Sequence, residues 1–114
     1  MKIDKRMMGD VAVLDISGKI LGGPPTSQEI KDQVYQLLDE GVSKFVMNLE
    51  DVKRMNSSGL GILISVLTSV RNRGGNLKLA AVNETMEGIL VLTKLNSVFE
   101  TYQTAEGAAQ SFAK

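Results

Sequence analysis

The chain has 114 residues, enough for one hydrophobic core and too few for two independent ones, and its 43% apolar and 23% charged content is that of an ordinary globular domain. Thirteen basic residues balance thirteen acidic ones, so no overall electrostatic footprint for nucleic acid is present, and three Phe, two Tyr and no Trp make no base-stacking platform. Cysteine and histidine are both absent, which excludes a disulfide framework, a Cys or His zinc site, and Ser-His-Asp or Cys-His catalysis within the chain.

In chain order, residues 2–8 and 11–17, joined by Gly9 and Asp10, read as a β-hairpin. In the second strand Val11, Val13 and Asp15 share one face and Ala12, Leu14 and Ile16 the other, so one face is expected fully buried and the other partly. Gly22, Gly23, Pro24 and Pro25 then break the sheet. Thr26, with Glu29 three residues later, has the form of a capping box, and Ile30, Val34, Leu37 and Leu38 recur on one helical face before the stop at Gly41. Residues 44–49 predict a short central strand, apolar on both faces, that runs into a polar loop at Glu50 and Asp51.

A helical pattern follows through Arg73, with Leu60, Leu63, Ile64 and Leu67 in one stripe and Ile62, Val66 and Val70 in a second beside it. That apolar arc is wider than a surface helix needs. Either both stripes are core, or the Ile62 and Val66 side stays partly exposed and takes a protein partner. Gly74 and Gly75 end the helix, residues 77–82 predict a third central strand, and a helix with Met86, Ile89, Leu90 and Thr93 on one side runs to Lys94, weakened by Gly88. Val98, Phe99 and Glu100 read as a short strand, and Thr104 caps a last helix over 105–113 that docks through Ala108, Ala109 and Phe112. The alternation from residue 26 onward predicts an α/β fold with right-handed crossovers between mainly parallel strands and an antiparallel margin. No apolar run approaches the roughly 18 residues of a membrane span, and residues 1–6 have no apolar segment behind their charges. Neither membrane insertion nor a secretory signal is expected, and the expected compartment is the cytoplasm.

The stretch 55–61, Met-Asn-Ser-Ser-Gly-Leu-Gly, sits at the strand-to-helix junction. There the first-turn N–H groups and the helix dipole favour an anion, so Ser57 and Ser58 lie where phosphate chemistry would be felt; the plainer reading is that Asn56 and the serines only start the helix. Other chemistries fail on spacing. A P-loop needs Lys followed by Ser or Thr, the dinucleotide fingerprint needs a glycine where Ile64 stands, and a nucleophile elbow needs a glycine two residues before the serine, where Met55 stands, together with a histidine. Glu50 and Asp51 find no further acid to complete a metal set and read as a solvated loop balanced by Lys53 and Arg54. No metal and no cofactor is expected.

Residues 48–52 (Asn-Leu-Glu-Asp-Val), 55–61, 74–77 (Gly-Gly-Asn-Leu) and 95–100 (Leu-Asn-Ser-Val-Phe-Glu) together resemble the STAS domain, in particular the bacterial anti-sigma factor antagonists, over nearly the whole chain. The resemblance implies a single domain over 1–114, a mixed, mainly parallel sheet with helices packed mainly on one face, and regulation without catalysis. It implies that the dephosphorylated protein binds an anti-sigma factor and frees a sigma factor, that a serine-protein kinase, often that same anti-sigma factor, ends the contact by phosphorylating Ser57, and that a serine phosphatase resets it. Asn56, Ser58, Gly59, Ile62 and Val66 are the expected partner-binding residues around Ser57, with no direct role for nucleic acid. Two positions depart from the family pattern: Asn56 stands where Asp usually precedes the acceptor, and residues 18–25 replace the usual Gly-x-Leu-Asp. A scaffold subunit of a transporter or signalling complex, in which the serines merely cap, is the alternative.

Overall fold

A computed structural model describes residues 1–113. β1 (Lys2–Met8) and β2 (Val11–Ile20) pair antiparallel, with Met8 opposite Val11 and Gly9 at φ +63° in the turn between them. β3 (Lys44–Met55), β4 (Asn76–Ala80) and β5 (Thr101–Tyr102) follow in parallel, giving a five-stranded sheet in the order β1-β2-β3-β4-β5. Three helices, α1 (Thr26–Asp39), α2 (Ser57–Asn72) and α3 (Glu84–Leu92), connect the parallel strands, and α4 (Ala105–Ser111) follows β5.

Each parallel strand is added on the same side of its predecessor, so right-handed crossovers lay all three connecting helices on one face. The packing agrees. Ala12, Leu14, Ile16, Phe45, Met47, Leu77 and Leu79 of the sheet share one buried cluster with Ile30 and Val34 of α1, Leu63 and Val66 of α2, and Met86 and Leu90 of α3. The other face, Val11, Val13, Val46 and Ala80, is covered by Ala105, Ala108 and Ala109 of α4. The α/β architecture and the two-faced burial of β2 therefore match what the residue pattern predicts.

Three local expectations are corrected. β3 does not end at Leu49 but continues through the supposed polar loop to Met55. Leu49, Val52 and Met55 are all buried on the helix-covered side at a spacing of three, and the pairing with β2 slips twice, between Asp15 and Ser17 and between Gly18 and Lys19. Each slip is a bulge in β3, one extra residue on that strand, so the polar residues after Leu49 that read as a loop are carried within the strand. The capping box at Thr26 does not form: Pro25 occupies the cap position without a side-chain hydrogen bond, and Thr26 is already helical. Residues 98–100 are not a strand: Val98 ends a turn, Phe99 is buried as an anchor in the bend after it, and the strand is the two residues after Glu100.

Candidate functional site at the start of the second connecting helix

β3 drives Met55 into the core, and Asn56, extended at φ −105° and ψ 179°, turns the chain into α2. The Asn56 side-chain oxygen accepts the Gly59 N–H at 2.7 Å, and its carbonyl accepts the Leu60 N–H at 2.9 Å. Asn56 is thus the N-cap, which leaves Ser57 and Ser58 as the first two helical residues. Backbone N–H groups at those positions have no intrahelical acceptor. Both serines are exposed.

Two glycines hold this corner in place. A Cβ on Gly59 would collide with the carbonyl oxygen of Ile20, so the first turn of α2 lies directly on the end of β2. A Cβ on Gly22 would run into the Cβ of Ser58, so the loop after β2 packs against the second serine. The sequence marks Gly22 only as part of a strand-breaking run; its role arises from a contact 36 residues away, for which no local signal exists.

Asn56, Ser57 and Ser58 are therefore brought together at the surface, with Gly59 buried beneath them as a spacer. Ile62 and Val66 do not join them. They are 6% and 0% exposed, so of the two readings the first holds and both stripes are core, which takes Ile62 and Val66 out of any surface contact. The reason is that α2 packs on α1 as well as on the sheet, and on the α1 side Tyr35 and Ser69 add a hydroxyl contact of 3.3 Å. The exposed side of α2 near its start is Gly61, with Ile64 and Ser65 half-buried next to it.

The acidic pair Glu50 and Asp51, both exposed, lies apart from the serines. With β3 extended, about 13 Å of strand separates Asp51 from Met55. Glu50 and Asp51 instead border an open cleft of about 580 Å³ shared with Lys19 and Lys53. The charged residues closest to Ser57 along the chain are Lys53 and Arg54, with Lys19 as the register partner of Arg54, and the first turn of α2 contains no acid. Among the described residues no group of three or more acidic side chains is placed to hold a metal ion, and no helix is long and apolar enough to cross a membrane. Without a histidine, the serine hydroxyls have no such base to activate them. What the corner can do is present a hydroxyl to an external enzyme and, once phosphorylated, hold the dianion against free amides at the positive end of a helix of 16 residues.

The profile of the STAS domain family matches residues 2–108. A Thermotoga maritima protein provisionally described as an anti-sigma factor antagonist is 32% identical over 75 residues, a segment that spans 66% of this chain and 66% of the relative, just under two thirds of each. The anti-sigma-B factor antagonist of Bacillus subtilis is 27% identical over 81 residues, 71% of this chain and 73% of its own. A crystal structure of an antagonist, also provisionally described, from Thermotoga maritima superposes with a TM-score of 0.87 at 26% identity, covering 98% of this chain and 95% of that one. The chain belongs to the STAS domain family.

Proposed function

We propose that this chain is an anti-sigma factor antagonist, a binding module without catalysis. Its unphosphorylated form docks on an anti-sigma factor through Asn56, Ser57, Ser58 and the loop of residues 21–25, and so frees a sigma factor. Phosphorylation of Ser57 by a serine kinase, the anti-sigma factor itself or an associated enzyme, ends the contact, and a serine phosphatase restores it. The protein acts in the cytoplasm. The observation that carries this reading is the placement of Ser57: exposed, first in α2, and fixed by the Asn56 cap and the Gly59 contact with β2. The relatives named as antagonists support it.

The switch needs no refolding. Phosphorylation adds about −1.5 to −2 charges. At ~7 Å and an effective dielectric near 20, each unit-charge pair is worth about 2 kcal/mol, and ~1.4 kcal/mol already changes affinity tenfold. An acidic surface on the anti-sigma factor would therefore be repelled by phosphorylated Ser57, while the helix N-terminus keeps the modified serine in place. Gly59, Ile62 and Val66 serve from beneath, holding the first turns of α2 rigid.

A pull-down from native cell extract with and without ATP, followed by mass-spectrometric site mapping, tests the proposal. The expected result is an anti-sigma factor with kinase homology that is recovered without ATP and lost as phosphate appears on Ser57. Stable recovery of a transporter ATPase with Ser57 unmodified in both arms would support the scaffold reading instead.

A further inference from the structure

α3 exposes the most open large apolar side chains of the described residues: Val91 is 57% exposed and Leu92 85%. Its two buried residues, Met86 and Leu90, define the side turned to the core. At 100° per residue, Glu84, Gly88, Val91 and Leu92 fall in an arc of about 100° directly opposite. Gly88 has open space where a side chain would stand, so it forms a notch in that outward face. The charges are segregated along the helix: Glu84 and Glu87 lie in the first turn and Lys94 just past the last, and none of the three is in an ion pair among the described residues.

Lys94 carries a second signal. Its backbone is left-handed at φ +62°, its N–H donates to the Val91 carbonyl at 3.0 Å, and the following Leu95 N–H donates to the Leu90 carbonyl at 2.8 Å. This is the helix-ending position that glycine fills without strain, and a lysine there is strained. A strained non-glycine residue points to a use for its side chain.

We infer that this face docks a second copy of the chain through an antiparallel α3–α3 contact about a two-fold axis. An axis passing between residues 89 and 90 sets the Gly88 notch of one copy level with Val91 of the other, with Leu92 one residue beyond, and brings Glu84 within about one residue's rise (~1.5 Å) of Lys94, each contact made twice. The two helix dipoles then also oppose one another favourably. A second copy is the fitting occupant because the face complements itself, notch to side chain and acid to base, under a single rotation. α3 has nine residues, about 14 Å of helix, so the contact is small and belongs to the weak, concentration-dependent class. It lies on a different helix from Ser57 and does not depend on the function proposed above.

Sedimentation equilibrium of the full chain from micromolar to millimolar concentration tests this. At low salt the mass should rise from one chain toward two, and added salt should weaken the association. Leu92→Glu should hold the protein at one chain throughout. Lys94→Gly should weaken association several-fold while raising the melting temperature, because it removes a cation and relieves the backbone together; a merely structural Lys94 would leave the mass unchanged. Lys94→Glu should weaken association, and adding Glu84→Lys should restore it. A single-chain mass up to millimolar concentration would overturn the inference. So would a dimer unaffected by Leu92→Glu, or a charge exchange that restores nothing. A chain that stays monomeric but loses a different protein with Leu92→Glu would assign the face to that partner and likewise reject self-association.

Discussion

At residue 56 one carboxamide oxygen sets the geometry of the serine corner. Asn56→Ala removes its bond to the Gly59 N–H and is expected to cost about 1 kcal/mol in chemical denaturation, whereas Asn56→Asp keeps the acceptor and adds a charge favoured at a helix N-terminus, for a gain of a few tenths of a kcal/mol. The two glycines of the same turn should separate cleanly. Gly59→Ala forces a methyl into the Ile20 carbonyl and is expected to cost about 3 kcal/mol, enough to shift the first turn of α2 away from β2. Gly61→Ala meets open space, and should be neutral or stabilise by up to ~1 kcal/mol, as read from the same denaturation curves. The sequence reveals the Asn56 cap because capping is chemistry within four residues. It hides the part played by Gly22, and the difference between Gly59 and Gly61, because those depend on what the fold brings against each Cα.

At the scale of elements, the boundaries that local pattern misjudges are those set by tertiary pairing. β3 reads as ending at Leu49 because the apolar run gives way to Glu50 and Asp51, yet two bulges let Leu49, Val52 and Met55 face the same core while β2 pairs alongside. Thr26 and Glu29 have the spacing of a capping box, but Pro25 takes the cap position. Thr104 does act as expected: its hydroxyl accepts the Gly107 N–H at 3.0 Å and starts α4. That helix is fastened from the sheet by Lys78, a lysine only 8% exposed, which donates to the Ser111 hydroxyl at 2.6 Å, lies 3.2 Å from the Glu100 carboxylate and sits 4.1 Å from the centre of the Phe112 ring. Burial pushes the Glu100 carboxyl up, but the hydrogen bond and charge of Lys78 pull it further down, leaving it below its ordinary value of 4.5. A carboxyl depressed in the folded state stabilises above its unfolded value and loses that contribution as pH falls through the folded one. The stability lost on acidification below 4.5 should therefore be smaller in Lys78→Met than in the unmodified protein, when denaturation curves are compared across that range.

Across the whole molecule, the alternation of elements and the hand of their crossovers make a mainly parallel α/β sheet with an antiparallel margin legible from the sequence, whereas the strand order emerges only in the fold and the one-sided helix layer is what the family resemblance implies. The breadth of α2's apolar surface is legible too, but its meaning is not: only its packing on α1 as well as the sheet shows that Ile62 and Val66 are core. Ser57 stands on a platform shared by β2, β3 and α2, so a charge added there changes the surface without any change of fold. Ser57→Asp should accordingly keep the melting temperature of the unmodified protein within a few degrees and lose the anti-sigma factor. The direct test is isothermal titration of the recovered anti-sigma factor with the unmodified protein and with the protein phosphorylated on Ser57. The account predicts affinity at least about tenfold weaker for the phosphorylated form, a difference of ~1.4 kcal/mol or more; equal affinities for the two forms would contradict it.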